Sequence, residues 1–116
     1  MIRIFALLSF AMALGAAALP ADTVKGVILD NVCAAEFSGD FAAAVEHSKT
    51  CSLLEGGKKK GFSIVSEDGQ TLTLDAKGNS MLLRSLQYSK KTGEIQVEAE
   101  GKVKGSKIAV QQIRIS

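Results

Sequence analysis

From Glu94 to Lys104 the chain alternates, residue by residue, between small or apolar and polar side chains. A period of two over that length is the signature of a strand with one dry and one wet face. Ile95, Val97, Ala99, Gly101 and Val103 fall on one face; Glu94, Gln96, Glu98, Glu100, Lys102 and Lys104 fall on the other. Gly105-Ser106 then turns the chain into a last strand, Lys107 to Ile115. Counting pairs outward from that turn sets Val103 against Ile108 and Gly101 against Val110. Strict continuation would bury Gln112 and expose Ile113 and Ile115. One extra residue near Gln111-Gln112 restores the pattern, so a β-bulge is expected there.

Val24 to Val32 is rich in β-branched and aliphatic residues and reads as the first strand. Ser38-Gly39-Asp40 offers a helix cap, and Phe41, Ala44, Val45 and Ser48 follow at helical spacing. Phe62 to Ser66 and Gln70 to Asp75 form a hairpin. A three-residue loop, Glu67-Asp68-Gly69, pairs Ile64 with Leu72 and Phe62 with Leu74, giving one apolar face; a two-residue loop would split the apolar residues between faces. Asn79 or Ser80 caps a second helix, Met81 to about Ser89, with Leu82, Leu83 and Leu86 as its buried stripe and Lys90, Lys91 and Gly93 as stop signals. Gly56 to Gly61, three glycines around Lys58-Lys59-Lys60, reads as a solvated mobile loop without phosphate-loop spacing.

The fold class is therefore mainly β with two short helices (α+β). Five short strands with a helix between the third and fourth match a five-stranded OB-type barrel, with residues 40–48 as a helical insertion between strands one and two. An α+β roll and an open antiparallel sheet with helices on one face are the alternatives.

The N-terminal end reads as an export signal. Met1-Ile2-Arg3 is a short positive start, Ile4 to Leu14 an apolar run interrupted only by Ser9, and Gly15 to Ala18 a small-residue stretch. The apolar run is shorter than the ~20 residues of a membrane-spanning helix. Cleavage after Ala18 or Ala21 is expected, so residues 1–21 are the signal peptide and 22–116 a single small OB-like domain without a membrane span, secreted or periplasmic. Removing Arg3 from the 14 basic residues leaves 13 against 12 acidic. That near balance gives no general attraction to nucleic acid or anionic membrane. Phe37, Phe41, Phe62 and Tyr88 are the only aromatics after the leader, and they are not interleaved with basic residues as a single-strand-binding face requires. No nucleic-acid partner is expected.

Cys33, His47 and Cys51 lie in the inserted segment. Two cysteines in a small exported chain point first to a disulfide, Cys33–Cys51, worth roughly 3 kcal/mol in the chain-entropy picture. The alternative is a metal site. His47 and Cys51 are four apart and share a face if the helix reaches residue 51, and Cys33 with Asp30 would then complete four ligands for zinc or another transition metal. His47 also has a plain reading as a helix-surface residue near a C-terminus. No nucleophile elbow or C-x-x-C is present, so no catalytic residue is assigned.

Gly26-Val27-Ile28-Leu29-Asp30-Asn31-Val32-Cys33, His47 to Leu53, Gly61-Phe62 and Gly101 to Ile113 together resemble small exported bacterial proteins of uncharacterised function. Their pattern is G-x-L-x-D-x-x-C, then H-x-x-x-C-x-L, then G-x-V-x-G-x-x-I-x-V-x-x-I, and they are similar to OB-type barrels. In such chains a further cysteine often follows the second stretch; here Glu55-Gly56-Gly57 occupy that region. The resemblance implies export and a barrel and brings no activity with it. The expected function is an exported binding or interaction module for a small ligand or protein, with no cofactor, or else a metal-binding protein.

Overall fold

In the computed structural model, which describes residues 21–49, 53–89 and 94–116, the first strand β1 runs from Asp22 to Asp30. It ends two residues before the expected Val32 because the Asp30 carboxylate accepts hydrogen bonds from the Val32 and Cys33 backbone N–H groups, 3.0 Å each. That is an N-cap, and it starts helix α1 (Asn31–Glu36) where extended chain was expected. Helix α2 (Phe41–Ser48) falls on the expected residues, with Asp40 as its cap.

The expected loop around Gly56–Gly61 is instead part of helix α3 (Leu53–Lys60). Glycines are poor helix formers in isolation, but Gly57 is buried against the ring of Phe62, and packing overrides propensity. Lys58, Lys59 and Lys60 occupy the last turn, where positive charge is favourable, and Gly61 leaves the helix at φ 80°. Strands β2 (Phe62–Ser66) and β3 (Thr71–Leu74) form the hairpin with the three-residue loop: Ile64 faces Leu72, and Gly69 turns at φ 89°.

Helix α4 (Ala76–Ser89) begins well before the expected Met81. Its cap is Asp75, whose Oδ1 accepts from Gly78 N–H at 2.9 Å and also from Val110 N–H at 3.3 Å, tying the helix start to the last strand. Gly78 permits this approach, since a Cβ there would meet the Val110 side chain. Leu82 and Leu86 are buried and Leu83 packs partly against the core, as the stripe requires. Residues 1–20 of the expected leader, and Lys90, Lys91 and Gly93, lie outside the described residues.

Strands β4 (Gln96–Lys104) and β5 (Lys107–Ile115) carry the expected register and bulge. Gly101 faces Val110, but Glu100 faces Gln112, so Gln111 is the extra residue and Ile113 turns inward opposite Ala99. The five strands close in the order β1-β2-β3-β5-β4: β1 pairs with β4, and β3 meets β5 in a short parallel contact, Thr73 to Lys107 and Leu74 to Ile108. This is the closed OB-type barrel, with, among the described residues, three helices rather than one between β1 and β2 and a fourth between β3 and β4. Val27, Ile28 and Leu29 are all fully buried, as is nearly every residue of β2. Alternation is lost there because the barrel interior covers one face and helices α1–α3 the other.

Candidate functional site

Of the four residues singled out by their ligating chemistry, Asp30 ends β1 and Cys33 follows it on α1, while His47 lies on α2. Asp30 is only 6 % exposed and is occupied as the α1 cap. Cys33 is half-buried on α1 and packs against the core. His47, in the last turn of α2, is half-buried rather than on the open surface, its ring 4.7 Å from that of Phe37 and tilted by 34°. Cys51 lies outside the described residues, so neither the bridge nor the full ligand set has a geometry here. Among the described residues no group of three or more His, Cys, Asp or Glu side chains is gathered for a metal ion.

A polar latch closes this end of the barrel. Asn31 donates to the Lys60 carbonyl at 2.6 Å and accepts from the Ser63 hydroxyl, which also reaches Thr73 Oγ1 at 3.4 Å. Asn79 accepts from Phe62 N–H at 2.9 Å and donates to the Leu74 carbonyl at 3.4 Å. Gly61 passes between the two amides. Asn79 is thus no helix cap, as its place in the sequence suggested, but an interior strut. The latch uses its polar groups on one another and on the backbone it holds, as a structural tie does.

Among the described residues, two surface clefts stand out. The first, about 300 Å³, lies between β1 and the β2–β3 loop and is lined by Thr23, Lys25, Ser66, Glu67 and Asp68. Its charges are largely engaged. Asp68 accepts from the Ser66 hydroxyl and from Gln70 N–H, and these bonds hold its carboxyl below the ordinary value. Lys25 lies 3.5 Å from Glu98, which also pairs with Arg114.

The second cleft, about 360 Å³, lies where β3 meets the β4–β5 hairpin. Leu74, Ile108 and Ala109 contribute its apolar lining, Thr73 and Asp75 its neutral-polar and acidic part, and Lys102, Lys104 and Lys107 its basic part. Strand register explains the convergence. Lys104 stands directly opposite Lys107 across the turn, and Lys102, two residues along, shares their face. All three are exposed, and none has an ion-pair partner among the described residues. Like charges placed directly opposite each other on a sheet are destabilising. The outer row of β4 is therefore divided: Glu98 is compensated by Lys25 and Arg114, while its lysine end is not. The convergence followed from the hairpin count, but in sequence these lysines look only like the wet face of a strand.

No family model, curated protein or solved structure matches this chain. Among the described residues, no helix is long and apolar enough to cross a membrane.

Proposed function

We propose that this chain is an exported binding module, acting by holding a small ligand rather than by catalysis, and that the cleft between β3 and the β4–β5 hairpin is its binding site. The observation that carries the reading is the meeting there of an apolar lining with three uncompensated lysines. The volume is at the small end of the ~300–1,000 Å³ typical of ligand pockets, which suits a small molecule better than a protein partner. Other polar groups around the barrel, Asp30, Asn31, Ser63, Asp75 and Asn79, are committed to backbone or to each other, which suits a scaffold better than a reaction centre. The leader-like residues 1–21 and the resemblance to small exported bacterial proteins support a secreted or periplasmic location. In that oxidising setting a Cys33–Cys51 disulfide would staple the three-helix insertion.

Native mass spectrometry of the protein after exposure to a small-molecule extract tests the reading. A retained mass that disappears on denaturation, and that is reduced in the Lys102→Gln/Lys107→Gln variant, is expected. A bare native mass, together with amide resonances of residues 102–109 that no extract component shifts, would overturn it.

A further inference from the structure

We infer that the ligand is a small amphiphilic anion, a carboxylate or phosphate head on a short apolar body, with the head held by Lys102, Lys104 and Lys107. This rests on the cleft being a binding site and adds the chemical class of what it takes. Opposed Lys104 and Lys107, with Lys102 on the same face, bring three lysine side chains to the lining of one cleft. Their mutual repulsion is relieved when an anion sits among them, so charge complementarity selects the head. Exposed Ala109 and the methylene stems of the lysines, over a floor of Leu74 and Ile108 that is itself nearly closed to solvent, select the body, because an apolar group laid there leaves water. Asp75 is the acidic residue of the lining, and it does not cancel this preference. Its Oδ1 already accepts from two backbone N–H groups, one of them at the start of α4, where the helix favours negative charge. A purely polar anion would leave the apolar lining unused, and a neutral apolar molecule would leave the lysines uncompensated.

The test is a set of amide-shift titrations of the folded protein with monomeric octyl phosphate, inorganic phosphate, octanol and octylammonium. Octyl phosphate is expected to give saturable shifts at residues 73–75 and 102–109. Inorganic phosphate and octanol should bind about tenfold or more weaker, and octylammonium weaker still. Raising salt should weaken octyl phosphate binding, since exposed charges are screened beyond ~10 Å at 0.1 M. Lys102→Gln/Lys107→Gln should lose at least tenfold in affinity while melting no lower than wild type, because the change removes repulsion; that separates lost binding from lost folding.

Octanol or octylammonium filling the cleft as tightly as octyl phosphate would overturn the anion while leaving the cleft a binding site. Binding of an oligothymidylate in preference to octyl phosphate would overturn it in favour of a nucleic acid. Co-sedimentation with phosphatidylglycerol vesicles without any binding of monomeric octyl phosphate would overturn it in favour of a membrane surface. If no probe shifts these residues and no mass is retained from the extract, the binding-module reading fails with it.

Discussion

Gly57 lies so close under the ring of Phe62 that only a hydrogen fits between its Cα and the ring. The contact joins the last turns of α3 to the start of β2 and explains why a glycine-rich segment is a helix: the absent side chain makes room for a fully buried Phe62. Gly57→Ala should lower stability by about 1–3 kcal/mol, the usual cost of overpacking. Urea denaturation measures it, and the added Phe62→Leu change should make Gly57→Ala less costly than it is in the wild-type background.

Asn79 bridges β2 and β3 from the first turns of α4 through the Phe62 N–H and the Leu74 carbonyl. Asn79→Ala leaves both backbone groups without these partners and should cost about 1–3 kcal/mol. Asn79→Asp keeps an acceptor for Phe62 and loses the donor to Leu74, so its denaturation midpoint should fall between the two.

The bulge at Gln111 is tested by a pair of changes. Ile113 is 7 % exposed and faces inward opposite Ala99, whereas Gln111 is exposed and has no cross-strand partner in the β4–β5 pairing. Ile113→Ala should cost about 2–5 kcal/mol, and Gln111→Ala less than about 0.5 kcal/mol. Equal midpoints for the two variants would argue against the register.

These features differ in how far the sequence carried them. The hairpin registers were legible because turn geometry and a period of two are local: Gly69 with Ile64 opposite Leu72, and Val103 opposite Ile108, follow from counting. The bulge was legible for the same reason, since only one extra residue puts Ile113 inside. Barrel closure was not, because the β1–β4 and β3–β5 pairings join segments with no turn between them to set their register. Helix α1 was not legible, because its capping aspartate, Asp30, also ends a strand, and α4 starts earlier than expected, because Gly78 and Asn79, both weak helix formers, sit in its first turn. The lysine convergence needed the hairpin register and the β3 contact together, and of these only the register could be counted, since the β3–β5 pairing is non-local.

Acid should weaken the fold through Glu98. The hydrogen bond and charge of Arg114, with a smaller contribution from Lys25, hold its carboxyl below the ordinary 4.5. Asp68 is likewise held below 3.8 by the Ser66 hydroxyl and Gln70 N–H. A carboxyl with a depressed folded value binds fewer protons folded than unfolded, so its contribution is fully present above the ordinary value and is lost as pH falls through the folded one. Urea midpoints measured from about pH 6 down to about pH 3 should therefore decline most steeply below the ordinary carboxylate range, and Glu98→Gln should flatten that decline.

The inserted segment between β1 and β2 decides between the disulfide and metal readings. Its three helices are short, and Phe37, Phe41 and Val45 pack only partly against the core. Burying such side chains fully is worth about 1.5–3 kcal/mol each, while ordering each residue costs about 1–2 kcal/mol of backbone entropy. A covalent closure from Cys33 to Cys51 would restrict the segment when unfolded and pin α1 to the start of α3. Cys33→Ser with Cys51→Ser should then lower stability by about 2–4 kcal/mol. His47 stacks on Phe37 in this segment, so in the disulfide reading His47→Ala costs only that ring contact. A metal held by Cys33, His47, Cys51 and Asp30 predicts the reverse: His47→Ala is the damaging change, and a chelator lowers the melting temperature of the wild type. Intact mass separates them directly. The bridged chain weighs about two mass units less than the reduced one, by the two thiol hydrogens lost in forming the S–S bond, and a metal adds mass only in the native spectrum. Two titratable thiols in the unreduced protein would exclude the bridge.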